Sequence, residues 1–272
     1  MGVRFEVLGP LRVLKDGELL QVRAAKPRLL LTALLLEANS PVSLDRLLAV
    51  LWEDRPPKSA LANIRSYVNQ LRGVLGSGRL GAHAPGYRLD VRPGELDMLD
   101  FRDLVRRGRA ARAEADDERA GTHFGAALAL WRGGAAENVP RTLAVEARLD
   151  ALEEQRCLAV EEWARAELAL GRHGEVIGAL RDTLAARPTR ERLWRQLMLA
   201  LYATGDVAGA LTAYGQARQA LDGHLGVEPG AELNELHRLM LNRDPHLEAL
   251  EPAPLPAASC PRCPRPRCPC GA

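Results

Sequence analysis

The hydrophobic pattern divides the chain into two regimes. Up to about residue 92, short runs of alternating apolar and polar positions are interrupted by three stretches with helical spacing. From Asp97 onward the helical spacing recurs alone. Val3 to Leu8, Leu11 to Leu14 and Leu19 to Val22 read as strands, punctuated by Gly9-Pro10 and by Asp16-Gly17, a favoured hairpin turn. A first helix is expected from Lys26 to Ala38, with Pro27 in its opening turn and Asn39 at its end. A second follows Ser43, an N-cap candidate, and sets Leu44, Leu47, Leu48 and Leu51 on one face. A third follows Pro56-Pro57 and covers Ser59 to Leu75. Its core stripe is Leu61, Ile64, Val68, Leu71 and Leu75, spaced alternately by three and four. Arg79 to His83 and Tyr87 to Val91 then read as a closing hairpin around Ala84-Pro85-Gly86.

The other faces of the third helix carry Ser59, Asn63, Arg65, Ser66, Tyr67, Asn69, Gln70 and Arg72, with no carboxylate among them. A merely solvated face mixes acids with bases. Arg, Asn and Gln can make paired hydrogen bonds to base edges, while hydroxyls and further arginines can hold phosphates. Strands, three helices and a terminal hairpin make a winged helix-turn-helix layout, in which the third helix enters the major groove. The expected phosphate anchors are Lys58, Arg65, Arg72, Arg79 and Arg88, with Asn63, Tyr67, Asn69 and Gln70 facing base edges. The alternative is a small α+β domain whose polar helix faces solvent.

Charge sharpens this picture. The chain of 272 residues has a net charge of +2, divided as +6 over residues 1–92, −6 over 93–250 and +2 over 251–272. A basic first domain joined to an acidic remainder is the asymmetry of a chain in which one domain meets a polyanion.

In the helical remainder, Asp97 reads as an N-cap ahead of Phe101, Leu104 and Val105. Further helices are expected at about 118–131, 143–170, 172–187, 189–204, 206–221 and 229–242. Gly171 and Gly205 lie 34 residues apart, each at a turn between helical stretches. Trp194, Leu197, Leu201, Ala210, Tyr214 and Ala217 fit tetratricopeptide (TPR) spacing, with Met198 and Val176 as departures from it. Such a stack suits protein contact, and its acidic charge argues against DNA binding. Trp131, Trp163 and Trp194 read as core.

The fold class expected is therefore mainly α. A winged helix-turn-helix over 1–92 precedes an all-α, TPR-like domain over 97–246 and a disordered Pro/Cys-rich tail over 247–272. The tail holds Cys260, Cys263, Cys268 and Cys270. Four thiolates could satisfy zinc, but very short loops and interrupting prolines argue against it. No cofactor or metal is expected, and no nucleophile-elbow, Rossmann, P-loop or metallohydrolase motif supports an enzyme. The strongest apolar run, Leu29 to Leu36, is far short of the roughly 20 residues that span a bilayer. No membrane association and a cytoplasmic location are expected. A TPR-type scaffold without specific DNA binding is the competing reading.

The runs "LGPLRVLKDG", "KPRLLLTALLLEANSPVSLDRLLAVLW", "PPKSALANIRSYVNQLRGVLG" and "PGYRLDV" resemble the OmpR-like DNA-binding domain of the SARP/AfsR family of actinobacterial activators. "ELALGRHGEVIGAL", "RERLWRQLMLALYATGDVAGALTAYGQAR" and "LGVEPGAELNELHRLMLNRDP" resemble the bacterial transcriptional activation domain found with it. The resemblance implies binding to direct repeats in double-stranded promoter DNA of specialised-metabolite (antibiotic) gene clusters, and recruitment of RNA polymerase holoenzyme. It gives Asn63, Arg65, Tyr67, Asn69 and Arg72 the DNA-facing role by position. A homodimer contact through the helical domain stays open beside the polymerase contact.

Overall fold

A computed structural model of the chain describes residues 2–76 and 78–248. The tail cysteines and their zinc question lie outside the described residues. Two compact units are present, Met1–Trp163 and Ala164–Ala272, with the division inside one long helix.

The first unit opens with strands β1 (Val3–Glu6), β2 (Arg12–Lys15) and β3 (Glu18–Leu20), an antiparallel sheet in that order. Alternation works here as expected: Val3, Phe5 and Val7 point into the core, as does Val13, which pairs with Leu20. Helix α1 (Ala25–Leu36) has every residue from Leu29 to Leu36 buried. An all-round apolar helix belongs in the middle of a fold, and α1 is the centre of this one. After it, Asn39 takes a left-handed φ of 66°. Its side-chain amide brackets Val91, accepting from the Val91 N–H at 2.8 Å and donating to the carbonyl at 3.0 Å.

A two-residue strand β4 (Val42–Ser43), absent from the sequence expectations, leads into helix α2 (Leu44–Trp52). The Ser43 hydroxyl caps α2 by accepting from the Arg46 N–H at 3.2 Å. The buried face of α2 is Leu47, Val50 and Leu51, so Val50 takes the place expected for Leu44 and Leu48. Helix α3 (Ala60–Leu75) is followed by the hairpin β5 (Leu80–His83) and β6 (Gly86–Leu89), with a cis Ala84-Pro85 bond between them. Strand β4 joins β6, giving the order β4-β6-β5. Gly86 is required at that junction, because a Cβ there would overlap the Val42 carbonyl.

Helices α4 (Asp97–Ala113) and α5 (Asp117–Leu128) and most of α6 (Leu143–Ala169) complete the first unit. Asp97 corrects an expectation. Leu96 occupies the cap position, and the Asp97 carboxylate reaches into the strand layer instead. It accepts from the Val7 N–H at 2.8 and 3.0 Å, from the Leu8 N–H at 3.0 Å and from Arg132 Nη2 at 3.2 Å. The segment after α5 adds to the tie. Arg132 N–H donates to the Leu8 carbonyl at 2.8 Å, Ala136 N–H to Val7 at 2.9 Å, and Asn138 brackets Leu11. Trp131 packs edge-on against Phe101 with ring centroids 5.6 Å apart.

The second unit contains α7 (His173–Ala186), α8 (Glu191–Ala203), α9 (Val207–Leu225), α10 (Ala231–Leu241) and α11 (Pro245–Glu248). Gly171 and Gly205 have φ of 76° and 83°, the left-handed turns that the 34-residue spacing suggested. Trp194 is buried, and its indole N–H donates to the Pro188 carbonyl at 2.7 Å. Among the described residues no helix is long and apolar enough to cross a membrane, and no cluster of His, Cys, Asp or Glu could hold a metal ion.

Two predictions follow from the acids of the first unit. Replacing Asp97 with Ala leaves two buried backbone donors without an acceptor and should cost about 3 kcal/mol in urea denaturation. A loss below about 1 kcal/mol would mean that the donors find water or another acceptor. Glu95 behaves differently. The Arg79 side-chain hydrogen bond holds its carboxyl below the ordinary value of 4.5, against the opposing effect of burial. Its contribution is thus full above the ordinary glutamate range and is lost as pH falls through the lowered value. The stability advantage of wild type over E95Q should be present at neutral pH and disappear in acid, and an advantage unchanged in acid would exclude this pair as its source.

Candidate nucleic-acid interface

The inner stripe of α3 is Ala60, Ile64, Val68, Leu71 and Leu75. The sequence expectation is corrected at its first member, since Leu61 is 47% exposed. Ala60 extends the i, i+4 row through Ile64 and Val68, and that row centres the buried face. Leu61 falls to one side of it, on the Arg65 flank. Opposite the stripe lie Ala62, Ser66, Asn69 and Gly73, all exposed, with Gln70 and Ser59 beside them. No carboxylate interrupts this face. Ser59 stands at the helix start without a side-chain capping bond, and its hydroxyl accepts from Asn63 Nδ2 at 3.3 Å.

The expected site residues divide into groups. Lys58, Arg65, Ser66 and Gln70 are exposed and have no ion-pair or hydrogen-bond partner among the described residues. Asn69 is also exposed, and its side-chain oxygen accepts from Arg72 Nη1 at 3.4 Å. Asn63 and Tyr67 sit half-buried on the flank away from Arg65. Tyr67 stacks on Trp52 of α2, centroids 6.4 Å apart and planes at 27°, while the Lys26 ammonium lies 5.5 Å from the Trp52 ring centre. This column fixes the angle between α2 and α3 and leaves the Tyr67 ring largely occupied by packing.

The remaining arginines are engaged inside the fold. Arg72 donates from Nε to the Leu80 carbonyl at 2.9 Å, fastening α3 to β5. Arg79 makes a two-pronged bond to Glu95 at 2.6 and 2.8 Å, with both side chains largely buried. That fork is spent within the protein, so Arg79 departs from its expected place among the phosphate anchors. Arg88 on β6 reaches Asp90 at 2.6 and 3.3 Å, and remains about one-third exposed. The Arg88–Asp90 pairing was readable from their i, i+2 spacing on a strand. The Arg79–Glu95 pairing was not, because the two residues are 16 positions apart and the whole wing hairpin lies between them.

Residues 96–241 match the family described as the bacterial transcriptional activator domain. The chain is 39% identical over 254 residues to the regulatory protein AfsR of Streptomyces griseus, covering 93% of this chain but 26% of that one. It therefore spans about a quarter of the AfsR length. It is 34% identical over 268 residues to the regulatory protein DnrI of Streptomyces peucetius, covering 94% of this chain and 98% of DnrI. Among solved structures, Mycobacterium tuberculosis EmbR in complex with a low-affinity phosphopeptide is similar at a TM-score of 0.82 and 35% identity. That match covers 92% of this chain and 68% of EmbR. The fold, the activator-domain match over more than half of the sequence and the end-to-end likeness to DnrI together establish that the chain belongs to the SARP family of transcriptional regulators.

Proposed function

We propose that the chain is a sequence-specific activator that places α3 in the major groove of double-stranded promoter DNA. It binds direct repeats upstream of a specialised-metabolite gene cluster in the cytoplasm, and it recruits RNA polymerase holoenzyme through protein contacts. The observation that carries the reading is the outward face of α3, exposed and free of carboxylate, in a first domain with net charge +6. The regulatory relatives support the transcriptional part.

On this reading Ser66, Asn69 and Gln70 meet base edges. Arg65, expected among the phosphate anchors, joins them because its exposed guanidinium fork is engaged by no other side chain among the described residues. Asn63 lies at the margin of the contact, and Tyr67 buttresses the helix through Trp52. Lys58 and Ser59 hold phosphates at the start of α3, where the backbone N–H groups of the first turn also favour an anion. Arg72 and Arg88 reach the backbone only with their remaining donors. Arg79 has no part in it. The helical domain serves the polymerase or a second copy of the chain.

Mobility shifts with promoter DNA from the gene neighbourhood, run across a salt series against unrelated duplex, test this directly. R65A and N69A should each cost roughly 1–3 kcal/mol at the cognate site and relax the base preference there. K58A should weaken all duplexes alike and reduce the salt slope by about 0.9. Equal binding of cognate and unrelated duplex by the wild type would sink the reading and leave the scaffold role of the helical domain in its place.

A further inference from the structure

Residues 93–250 carry a net charge of −6, yet α4 concentrates the opposite sign. Between Arg102 and Arg112 five arginines face one acid, Asp103. Asp103 serves two of them, ion-pairing with Arg106 and, at 2.7 Å, with Arg107. Arg112 is taken by Glu162 of α6. That leaves Arg102 and Arg109 without a carboxylate of their own. Arg102 donates to the Gln155 side-chain oxygen at 3.2 Å, and Arg109 has no hydrogen-bond or ion-pair partner among the described residues.

Arg102, Arg106 and Arg109 follow one another at i, i+4 and i+7 and share a helix face. Together with Gln155 they rim a cavity of about 240 Å³ floored by Phe101 and Val105. Arg102 is exposed, yet partial desolvation at its base and the neighbouring Arg148 both work against its charge, and Glu37 offsets them only in part. Glu37 itself is already shared by Arg46 and Arg148. The fold thus holds three guanidinium groups around an apolar hollow and gives a carboxylate partner to one of them, Arg106.

We infer that this hollow on α4 is a docking site for an acidic peptide segment that carries an apolar side chain between its carboxylates. Charge complementarity selects the sign of the partner, since guanidinium forks pair with carboxylates in a two-pronged geometry. The apolar floor selects a protein over a nucleic-acid backbone, which has no group to fill it. The size selects a side chain, because drug-sized ligands occupy pockets of roughly 300–1,000 Å³. The inference rests on the recruitment reading above and gives the polymerase contact a location.

The test uses the full chain on its promoter duplex. R109A removes a side chain with no partner in the fold, and R102E/R109E reverses the sign of the rim. Both should bind the duplex like wild type. In a holoenzyme supershift and in run-off transcription, R102E/R109E should lose about tenfold or more and R109A a smaller part. Full recruitment by both variants would overturn the docking site while leaving the recruitment reading intact. A parallel loss of duplex affinity would overturn it in favour of a DNA-backbone contact. Wild type that binds duplex but draws no holoenzyme would overturn the recruitment reading and this site with it.

Discussion

The Val7 and Leu8 N–H groups and one Arg132 guanidinium nitrogen converge on the carboxylate of Asp97, and the rest of the first unit is arranged around that convergence. Burial pushes this carboxyl above the ordinary aspartate range, while the backbone donors and Arg132 pull it back. An acid placed there is unfavourable unless every donor is aimed at it, which fixes the start of α4 against the end of β1. The neighbouring bonds repeat the constraint in backbone terms, from Phe5 N–H to the Glu95 carbonyl and from Ala136 N–H to Val7. The activator-domain match begins at residue 96, beside this carboxylate. The winged helix and the first helices after it consequently form one compact unit, whose division from the second falls between Trp163 and Ala164.

Within that unit the arginines fall into two populations. Arg72, Arg79, Arg112 and Arg132 give their donors to carbonyls or carboxylates of the fold and act as fasteners. Arg65 on α3 and Arg109 on α4 have no such partner among the described residues. Composition treats all of these side chains alike, but an arginine whose fork already closes on a glutamate has little left for a phosphate. The two proposed contact surfaces are therefore picked out less by where basic residues occur than by where acids are withheld. Helix α3 withholds them along its whole outward face, and from Arg102 to Arg112 α4 sets the single acid Asp103 among five arginines.

The second unit rests on a simpler device. Left-handed glycines at 171 and 205 close the turns between successive helices, and the small residues Ala210, Ala213 and Ala217 let α9 lie close to its neighbours. Met198 and Val176, the departures from TPR spacing, are both fully buried. Volume-tolerant apolar substitution keeps the stack intact there.

The sequence by itself determined what depends on neighbours within a few residues. The strand alternation, most of the α3 stripe, the Ser43 cap, the Gly171 and Gly205 turns and the acid-free face of α3 were all legible. Each rests on local geometry with a fixed period. Tertiary structure decided what depends on distant partners. It placed Ala60 rather than Leu61 in the core, sent Asp97 into the strand layer instead of capping its own helix, and added β4 to the wing. It turned Tyr67 onto Trp52 and closed Arg79 on Glu95. A carboxylate or guanidinium finds its partner through space, and a one-dimensional pattern carries no record of which opposite charge the folded chain brings within reach.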